Sequence, residues 1–315
     1  MTVEFLTSTP LITLNNGYKM PAIGLGCWMG SYGEGERCEQ MVRTAMKVGY
    51  RHFDTAAGYQ NEEHTGRALR ESGIPRSQIF LTTKLASTDH HRVREAFEAS
   101  LARLDCEYVD LFLMHWPQAE DETGRVLKEY ESPTFVETWK EMEKLLDTGR
   151  VKSIGVSNFS VKTFGALLPQ VKIVPAVNQV QLHPYLPQTE LLDYCTSKGI
   201  HLTAYSPLGQ TDSPLFTDET IVRIAEKYGV STGQVLLSWG VQRGTSVVPK
   251  SEKEERLKTN LKLLKFDSDD LEAINAIHRQ PGKNKNVAFH LGYVDGKPGM
   301  FGWTYEQLGW EYEYE

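Results

Sequence analysis

The chain has few cysteines, no long apolar run and no surplus of basic residues. Its four cysteines, at positions 27, 38, 106 and 195, lie far apart without a CxxC motif or a Cys/His cluster. We therefore expect a reducing compartment and no structural zinc site. No apolar run reaches the roughly 18 residues that a membrane-spanning helix needs. Residues 1–9 lack a basic segment followed by an apolar one, so we expect no secretory signal and a cytoplasmic location.

The charge balance argues against two classes of partner. The chain of 315 residues has a formal net charge of −7 and carries no basic stripe. Nucleic acid and anionic membranes attract clustered lysine and arginine, so we expect neither as a partner. A composition that is 40% hydrophobic and 24% charged is that of a globular protein. One large α/β domain is ordinary at this length.

Strand-like and helix-like segments alternate along most of the chain, which predicts parallel pairing of the strands. Eight such units without a reversal favour an α/β fold of the closed (β/α)8 TIM-barrel type over an open sheet. Asn15-Asn16-Gly17 predicts the turn of a short β-hairpin before the barrel. We expect one domain over residues 1–315, with an N-terminal hairpin at 11–21, the barrel at 22–262 and a C-terminal helix and loop at 268–315.

The segment beyond Pro281 is rich in glycine and aromatic residues and shows no clear periodicity. A disordered tail is one interpretation, but disordered segments are usually poor in aromatics. We expect an ordered loop that folds back over the mouth of the barrel. Its aromatic residues are Phe289, Tyr293, Phe301, Trp303, Tyr305, Trp310, Tyr312 and Tyr314.

Four chemically active residues follow or end successive predicted strands. Asp54, Lys84 and His115 end the second, third and fourth strands, and Tyr59 comes shortly after the second. A lysine ammonium beside a tyrosine stabilises the phenolate and lowers its pKa, while Asp54 can keep that lysine charged. A neutral His115 can orient a carbonyl oxygen. The four residues predict acid–base catalysis at an alkoxide, although Asp54 and Lys84 alone could be a structural pair.

Protonation of an alkoxide follows hydride transfer to a carbonyl, so a nicotinamide should bind nearby. Ser157, Asn158 and Gln179 at later strand ends offer groups for its carboxamide, and Tyr205 could stack on its ring. Lys250, Ser251 and Arg256 follow the last strand, where barrels often bind phosphate. Two patterns typical of other nicotinamide folds are rejected: Gly24–Gly30 has the wrong glycine spacing, and Tyr194–Lys198 lies on an ordinary amphipathic helix. His90 and His91 have no partner at metal spacing, and we expect a helix cap or solvated loop there.

Three segments resemble the signatures of the aldo-keto reductase family. They are GYRHFDTAAGYQNE at 49–62, IGVSNF at 154–159, and VPKS at 248–251 with Arg256 and Asn260. The resemblance covers nearly the whole chain and implies Tyr59 as general acid/base, supported by Lys84, Asp54 and His115. It implies NADP(H) as cofactor and no metal. The implied cofactor-binding residues are Ser157, Asn158, Gln179, Tyr205, Ser206, Leu208, Lys250, Ser251, Arg256 and Asn260.

Glu252 departs from the third signature, which usually avoids an acid there. A carboxylate could repel a 2′-phosphate or bind a free ribose hydroxyl, and the neighbouring Lys253 could compensate. We expect NADPH to be preferred, with NADH use possible because of Glu252.

Within the family, the chain is most similar to fungal members that act on glycerol and glyceraldehyde. This implies reversible reduction of glyceraldehyde, other small or aromatic aldehydes and aldoses, with Trp28 and Trp116 as walls of the substrate pocket. A xylose or uronate reductase, and a nicotinamide-binding regulatory protein with little turnover, are alternatives. The expected partner is a small carbonyl or alcohol substrate, and the expected assembly is a monomer or weak homodimer.

Overall fold

The structure, a computed structural model, describes residues 4–6, 9–287 and 292–310. Eight parallel strands pair in chain order, and a bridge between Ile23 and Val247 joins the first to the last. The predicted (β/α)8 barrel is confirmed. Two hairpin strands precede it, β1 (Leu11–Thr13) and β2 (Lys19–Pro21). The barrel strands are β3 (Leu25–Gly26), β4 (His52–Asp54), β5 (Phe80–Leu85), β6 (Val109–Met114), β7 (Val151–Ser157), β8 (Val177–Gln181), β9 (His201–Tyr205) and β10 (Ser246–Val248).

Helices follow the barrel strands and pack their apolar faces on the outside of the sheet. Several begin at side-chain caps that the sequence encodes: Thr134 and Glu137 cap each other's backbone N–H, as do Ser231 and Gln234. The helices are α1 (Gly35–Val48), α2 (Glu62–Arg70), α3 (Val93–Leu104), α4 (Phe135–Leu145), α5 (Val161–Leu167), α6 (Thr189–Ser197), α7 (Glu219–Tyr228), α8 (Thr232–Gln242), α9 (Glu254–Asn260) and α10 (Ser268–Asn275).

The N-terminal hairpin covers the end of the barrel where the strands begin. Met20 is fully buried, and with Leu14 it packs against Phe80, Leu111 and Val177 from inside the barrel. Asn16 Nδ2 donates to the carbonyl of Lys152 at 3.0 Å, which fixes the turn to β7. Because this end is sealed by side chains, access to the interior is from the opposite end, where the strands finish.

The C-terminal segment lies across that opposite end, as expected. It forms a small antiparallel sheet of β11 (Gly292–Val294), β12 (Lys297–Met300) and β13 (Trp303–Thr304), followed by α11 (Tyr305–Leu308). Trp303 Nε1 donates to the carbonyl of Leu127 at 2.7 Å, and Ser160 Oγ donates to that of Leu308 at 2.6 Å. The remaining aromatic residues named above, Phe289, Tyr312 and Tyr314, lie outside the described residues.

Three local features differ from the sequence-based expectations. Helix α5 was not predicted, because its seven residues include Gly165 and two β-branched residues; the capping pair Ser160 and Thr163 starts it. The strands of the tail were not predicted either, because glycine and proline interrupt their alternation. The expectation of a solvated loop at His90 was wrong. His90 is buried in a 3-10 turn (Ser87–Arg92) against Thr138 of α4.

Among the described residues, no helix is both long and apolar enough to cross a membrane. Within the same ranges, no group of three or more His, Cys, Asp and Glu side chains is arranged to hold a metal ion.

Buried His90 should make the fold less stable in mild acid. Burial lowers the pKa of His90 to about 3, whereas in the unfolded chain it is near ~6.5. Below that pH the unfolded chain binds a proton that the folded protein does not, so stability decreases as pH falls. Replacing His90 by Gln should reduce the slope of unfolding free energy against pH by about 1.4 kcal/mol per pH unit between pH 6 and 4. Urea titrations followed by circular dichroism measure it.

The exposed neighbour provides the matched control. His91→Gln should leave the slope as it is in the wild type, because His91 is in contact with solvent. Equal slopes for His90→Gln and the wild type would mean that His90 takes up its proton in the folded state.

Candidate active site

The barrel brings the four candidate catalytic residues together at the open mouth. Asp54 ends β4, Lys84 lies one residue before the end of β5, and His115 directly follows β6. Tyr59 ends the 3-10 turn Ala57–Tyr59 that follows β4. The three strands are parallel neighbours, so their carboxyl ends share one rim.

Lys84 is the centre of this group. Its side chain is fully buried, and its Nζ lies 2.5 Å from Asp54 Oδ1, 2.9 Å from the carbonyl oxygen of Thr55 and 3.4 Å from Tyr59 Oη. Burial on its own lowers the pKa of the Lys84 amine, but Asp54 and Tyr59 more than reverse this, and the net pKa is raised. Lys84 is therefore a buried ammonium at neutral pH, and all three of its N–H donors have an acceptor.

The pKa of the Tyr59 hydroxyl is raised, whereas the sequence predicted that Lys84 would lower it. Burial raises the pKa of the Tyr59 hydroxyl, and the lowering by Lys84 does not offset it. The nearby negative charge of Asp54 raises the pKa of Tyr59 further. Burial, with a smaller contribution from Lys84, holds the pKa of His115 well below its usual range. The Tyr59 and His115 rings lie 5.5 Å apart, so two neutral donors face the mouth at pH 7.

The later strand ends are tied to this group by a chain of hydrogen bonds. Gln179 Nε2 donates to Asp54 Oδ2 at 2.6 Å, and Ser157 Oγ donates to the carbonyl of Gln179 at 2.7 Å. Asn158 Nδ2 donates to the carbonyl of His115 at 2.9 Å, and Tyr205 Oη donates to Asn158 Oδ1 at 2.8 Å. These bonds connect residues from five strand ends and fix their side chains before any ligand binds. The link between Gln179 and Asp54 had no signal in the sequence, because 125 positions separate the two residues.

Two residues of this rim have a left-handed backbone. Asn158 has a φ of 65° directly after β7, and Ser206 has a φ of 46° directly after β9. Such a conformation costs on the order of 1 kcal/mol for a residue other than glycine. It turns the chain sharply at the end of each strand. Backbone strain of this kind concentrates at ligand sites.

The residues expected to bind the far end of a nucleotide also lie on this rim. Lys250 and Ser251 follow β10, while Arg256 and Asn260 belong to α9. Ser251 Oγ is buried and has no hydrogen-bond partner among the described residues. Such an orphaned hydroxyl is costly unless a ligand completes it, so the site fits a phosphate or ribose oxygen.

Glu252, the acid that departs from the third signature, is neutralised by two cations. Its Oε1 lies 2.5 Å from Lys250 Nζ and 2.9 Å from Arg37 Nη2. The hydrogen bond from Lys250, and after it that from Arg37, lowers the pKa of Glu252. The sequence offers Lys253 as one cation that could compensate the acid, but the compensating contacts found are those of Lys250 and Arg37. Arg37 had no signal in the sequence, because it lies on α1.

Aromatic residues border the mouth. The Trp28 ring lies 5.2 Å from that of Tyr59, and the Trp116 ring lies 4.7 Å from that of Phe301. A cavity lined in part by Trp116 lies between the rim and the tail. None of its described lining residues is charged: Trp116, Asn158, Val180, Gln181, Gln188, Tyr205, Asn286, Met300, Tyr305, Leu308 and Trp310. A larger cleft lies between α4, α5 and the tail, but no candidate catalytic or nucleotide-binding residue lines it.

The barrel and the composition of its rim define an oxidoreductase of the aldo/keto reductase type, and the comparison with known families agrees. A model of the Aldo/keto reductase family matches residues 22–279, and the chain belongs to this family. It is 44% identical over 297 residues to glycerol 2-dehydrogenase (NADP(+)) of Saccharomyces cerevisiae, covering 89% of this chain and 94% of that one.

Two further relatives support this membership. The chain is 39% identical to aldehyde reductase YPR1 of Saccharomyces cerevisiae. The alignment covers 93% of this chain and 98% of that one. The crystal structure of an aldo-keto reductase from Bombyx mori in complex with NADP is 35% identical, with a TM-score of 0.79. The alignment covers 86% of this chain and 93% of that chain.

Loss of the Lys84 charge alone should destabilise the protein more than loss of both the Lys84 and the Asp54 charge. Lys84→Met leaves a buried carboxylate without its cation and should destabilise the protein by about 3–5 kcal/mol. Adding Asp54→Asn removes the unpaired charge and should restore much of that loss. Urea unfolding without nucleotide measures both variants.

The exposed pair of Lys144 and Glu141, 2.6 Å apart, is the control. Lys144→Met should change stability by less than about 1 kcal/mol. If the single variant Lys84→Met and the double variant were equally stable, the buried charge of Asp54 would not be the cause.

Proposed function

We propose that the protein reduces the carbonyl of small aldehydes with NADPH, and oxidises the corresponding polyols in reverse, with Tyr59 as the proton donor. The observation that carries this proposal is the contact of a buried, charged Lys84 with both Asp54 and the Tyr59 hydroxyl at the open mouth of the barrel. The curated relatives named above, a glycerol 2-dehydrogenase (NADP(+)) and an aldehyde reductase, support the same reaction class.

The residues around the rim fit a nicotinamide dinucleotide. Ser157, Asn158 and Gln179 carry the amide and hydroxyl groups for its carboxamide, and Tyr205 offers a ring face. Ser206 and Leu208 would lie along its pyrophosphate. Lys250, Ser251, Arg256 and Asn260 would hold its adenosine end, where the orphaned Ser251 hydroxyl requires a partner. When bound, the reduced nicotinamide supplies the hydride that the carbonyl carbon accepts.

Residues of the protein itself supply the proton and stabilise the anion that its transfer leaves. Tyr59 keeps its proton at neutral pH, because burial raises the pKa of its hydroxyl. An alkoxide is more basic than a phenolate, so transfer from Tyr59 Oη to the former carbonyl oxygen is downhill. The Lys84 ammonium, 3.4 Å from that hydroxyl, then stabilises the phenolate. Neutral His115 can donate one hydrogen bond to the same oxygen and orient it. In the oxidative direction, the Tyr59 phenolate accepts the proton from the alcohol.

The mouth offers uncharged surface beside the proposed cofactor residues. The described residues that line the cavity there provide amide and hydroxyl groups and aromatic surface, and none is charged. Glyceraldehyde, aldoses and aromatic aldehydes are the substrates that we propose for this surface. Trp28, Trp116 and Phe301 would contact the part of the substrate beyond its carbonyl.

Removing the Tyr59 hydroxyl should abolish most of the turnover. Tyr59→Phe keeps the ring but cannot deliver a proton, so kcat for glyceraldehyde should fall by about 10²–10⁴-fold. The rate of NADPH oxidation measures this, and the Kd for NADPH should stay within a factor of about two, because the hydroxyl is not needed for nucleotide binding. Tyr130→Phe, at a surface tyrosine that is 77% exposed, is the control. A Tyr59→Phe variant as active as an active wild type would exclude Tyr59 as the acid. Absence of turnover in the wild type as well would favour a nicotinamide-binding protein.

Phe301 should select for aromatic aldehydes. Its ring is 50% exposed and contacts Trp116 edge-on at the mouth. Phe301→Ala should raise KM for benzaldehyde by about 2- to 10-fold, which corresponds to one lost aromatic contact, and should change KM for glyceraldehyde less.

Deletion of the whole segment after Pro281 would be a poorer experiment, because it would also remove Trp303 and Leu308 from the core. Tyr130→Ala is the matched control for Phe301→Ala. If KM rose equally for both aldehydes, Phe301 would act on the fold of the mouth and not on substrate choice.

A further inference from the structure

An exposed ion cluster joins the start of α1 to the segment after β10. Arg37 binds both carboxylate oxygens of Glu252: its Nη2 lies 2.9 Å from Oε1, and its Nε lies 3.2 Å from Oε2. Arg37 also pairs with Glu34 at 3.0 Å, which holds the guanidinium in place from its own end of α1. Lys250 binds only Oε1 of Glu252. Glu252 is thus held more completely by Arg37 than by Lys250.

This asymmetry matters for a 2′-phosphate. A phosphate that recruits Lys250 takes away one of the two cations that neutralise Glu252, whose carboxylate is two positions along the chain. If Lys250 were its only partner, Glu252 would compete for the lysine and repel the phosphate. Because Arg37 contacts both oxygens, Glu252 stays paired and fixed to α1 after Lys250 has turned to the phosphate.

We propose that Arg37 is a positioning residue that sets the nucleotide preference: by holding Glu252, it frees Lys250 for the 2′-phosphate and lets a chain with an acid at this position use NADPH. The inference rests on the proposed function, since it needs a nicotinamide nucleotide as cofactor. Arg37 acts through Glu252 and does not itself bind the phosphate. Its effect should therefore disappear when Glu252 has no charge.

Binding of nucleotide fragments tests this without turnover. Adenosine 2′,5′-bisphosphate and adenosine 5′-monophosphate differ only in the 2′-phosphate, and calorimetry gives Kd for each. The wild type should bind the bisphosphate more tightly. Arg37→Ala should weaken bisphosphate binding about 3- to 10-fold and change monophosphate binding less than about twofold. Glu252→Gln should tighten bisphosphate binding.

The double variant separates the routes by which Arg37 could act. In the Glu252→Gln background, Arg37→Ala should change the Kd for the bisphosphate by less than about twofold. Arg43→Ala is the matched control, because Arg43 lies on the same helix but pairs with Glu39 and Glu71, and it should leave both Kd values unchanged.

Four results would overturn the role of Arg37. An undiminished loss of bisphosphate affinity in the Glu252→Gln background would mean that Arg37 acts directly on the phosphate. No loss of bisphosphate affinity in the Arg37→Ala variant, or an equal loss in Arg43→Ala, would mean that Arg37 has no specific effect on nucleotide preference. A wild type that bound neither fragment would overturn the proposed function and this inference together.

Discussion

A lysine ammonium buried in the barrel is the constraint on which the rest of the site depends. A charge removed from water must be met by an anion and by acceptors for each of its N–H groups, or the fold loses several kcal/mol. Lys84 finds them in Asp54, the carbonyl of Thr55 and the hydroxyl of Tyr59. Asp54 is held in turn by Gln179 from the other side of the barrel. The demand of one charge thereby fixes the positions of residues from three different parts of the chain.

The two ends of the barrel have different tasks. At the end where the strands begin, the hairpin seals the interior with Met20 and Leu14. At the other end, the strands finish in polar side chains, and the turns at Asn158 and Ser206 are strained. The tail contributes both to the core and to the mouth of the barrel. Trp303 and Leu308 are core residues, while Phe301 remains half-exposed beside Trp116. The tail side chains that we propose to contact the substrate therefore lie on a segment that the fold itself requires.

At both ends of the proposed nucleotide site, charged side chains are paired with opposite charges. The two groups of charges differ in how deeply they are buried. Around Lys84 the charges are buried, so each must be compensated within a few ångström. Around Glu252 the side chains are partly exposed, water screens them, and pairs can exchange. A pair that can exchange suits the proposed role of Lys250, in which a phosphate competes with Glu252 for the lysine. A buried pair that stays formed suits the proposed role of Lys84, which is to stabilise the phenolate of Tyr59.

The sequence by itself determined the barrel and the membership of its rim. Apolar strands alternating with amphipathic helices allow few other folds, and parallel strands place Asp54, Lys84 and His115 on one edge because all strands point the same way. It did not reveal α5 or the strands of the tail, whose residues have weak local preferences and are ordered by packing against the barrel.

Only the tertiary structure decided pKa values, burial and charge pairing, because these depend on residues that are far apart in the sequence. The pKa of Tyr59 is raised and not lowered, because burial by the whole mouth outweighs one lysine and the charge of Asp54 raises the pKa further. His90 is buried because α4 lies against it. Glu252 is neutralised by Arg37, 215 positions away along the chain. Local patterns show which residues are available for a site, whereas burial and charge pairing depend on neighbours that only the fold brings together.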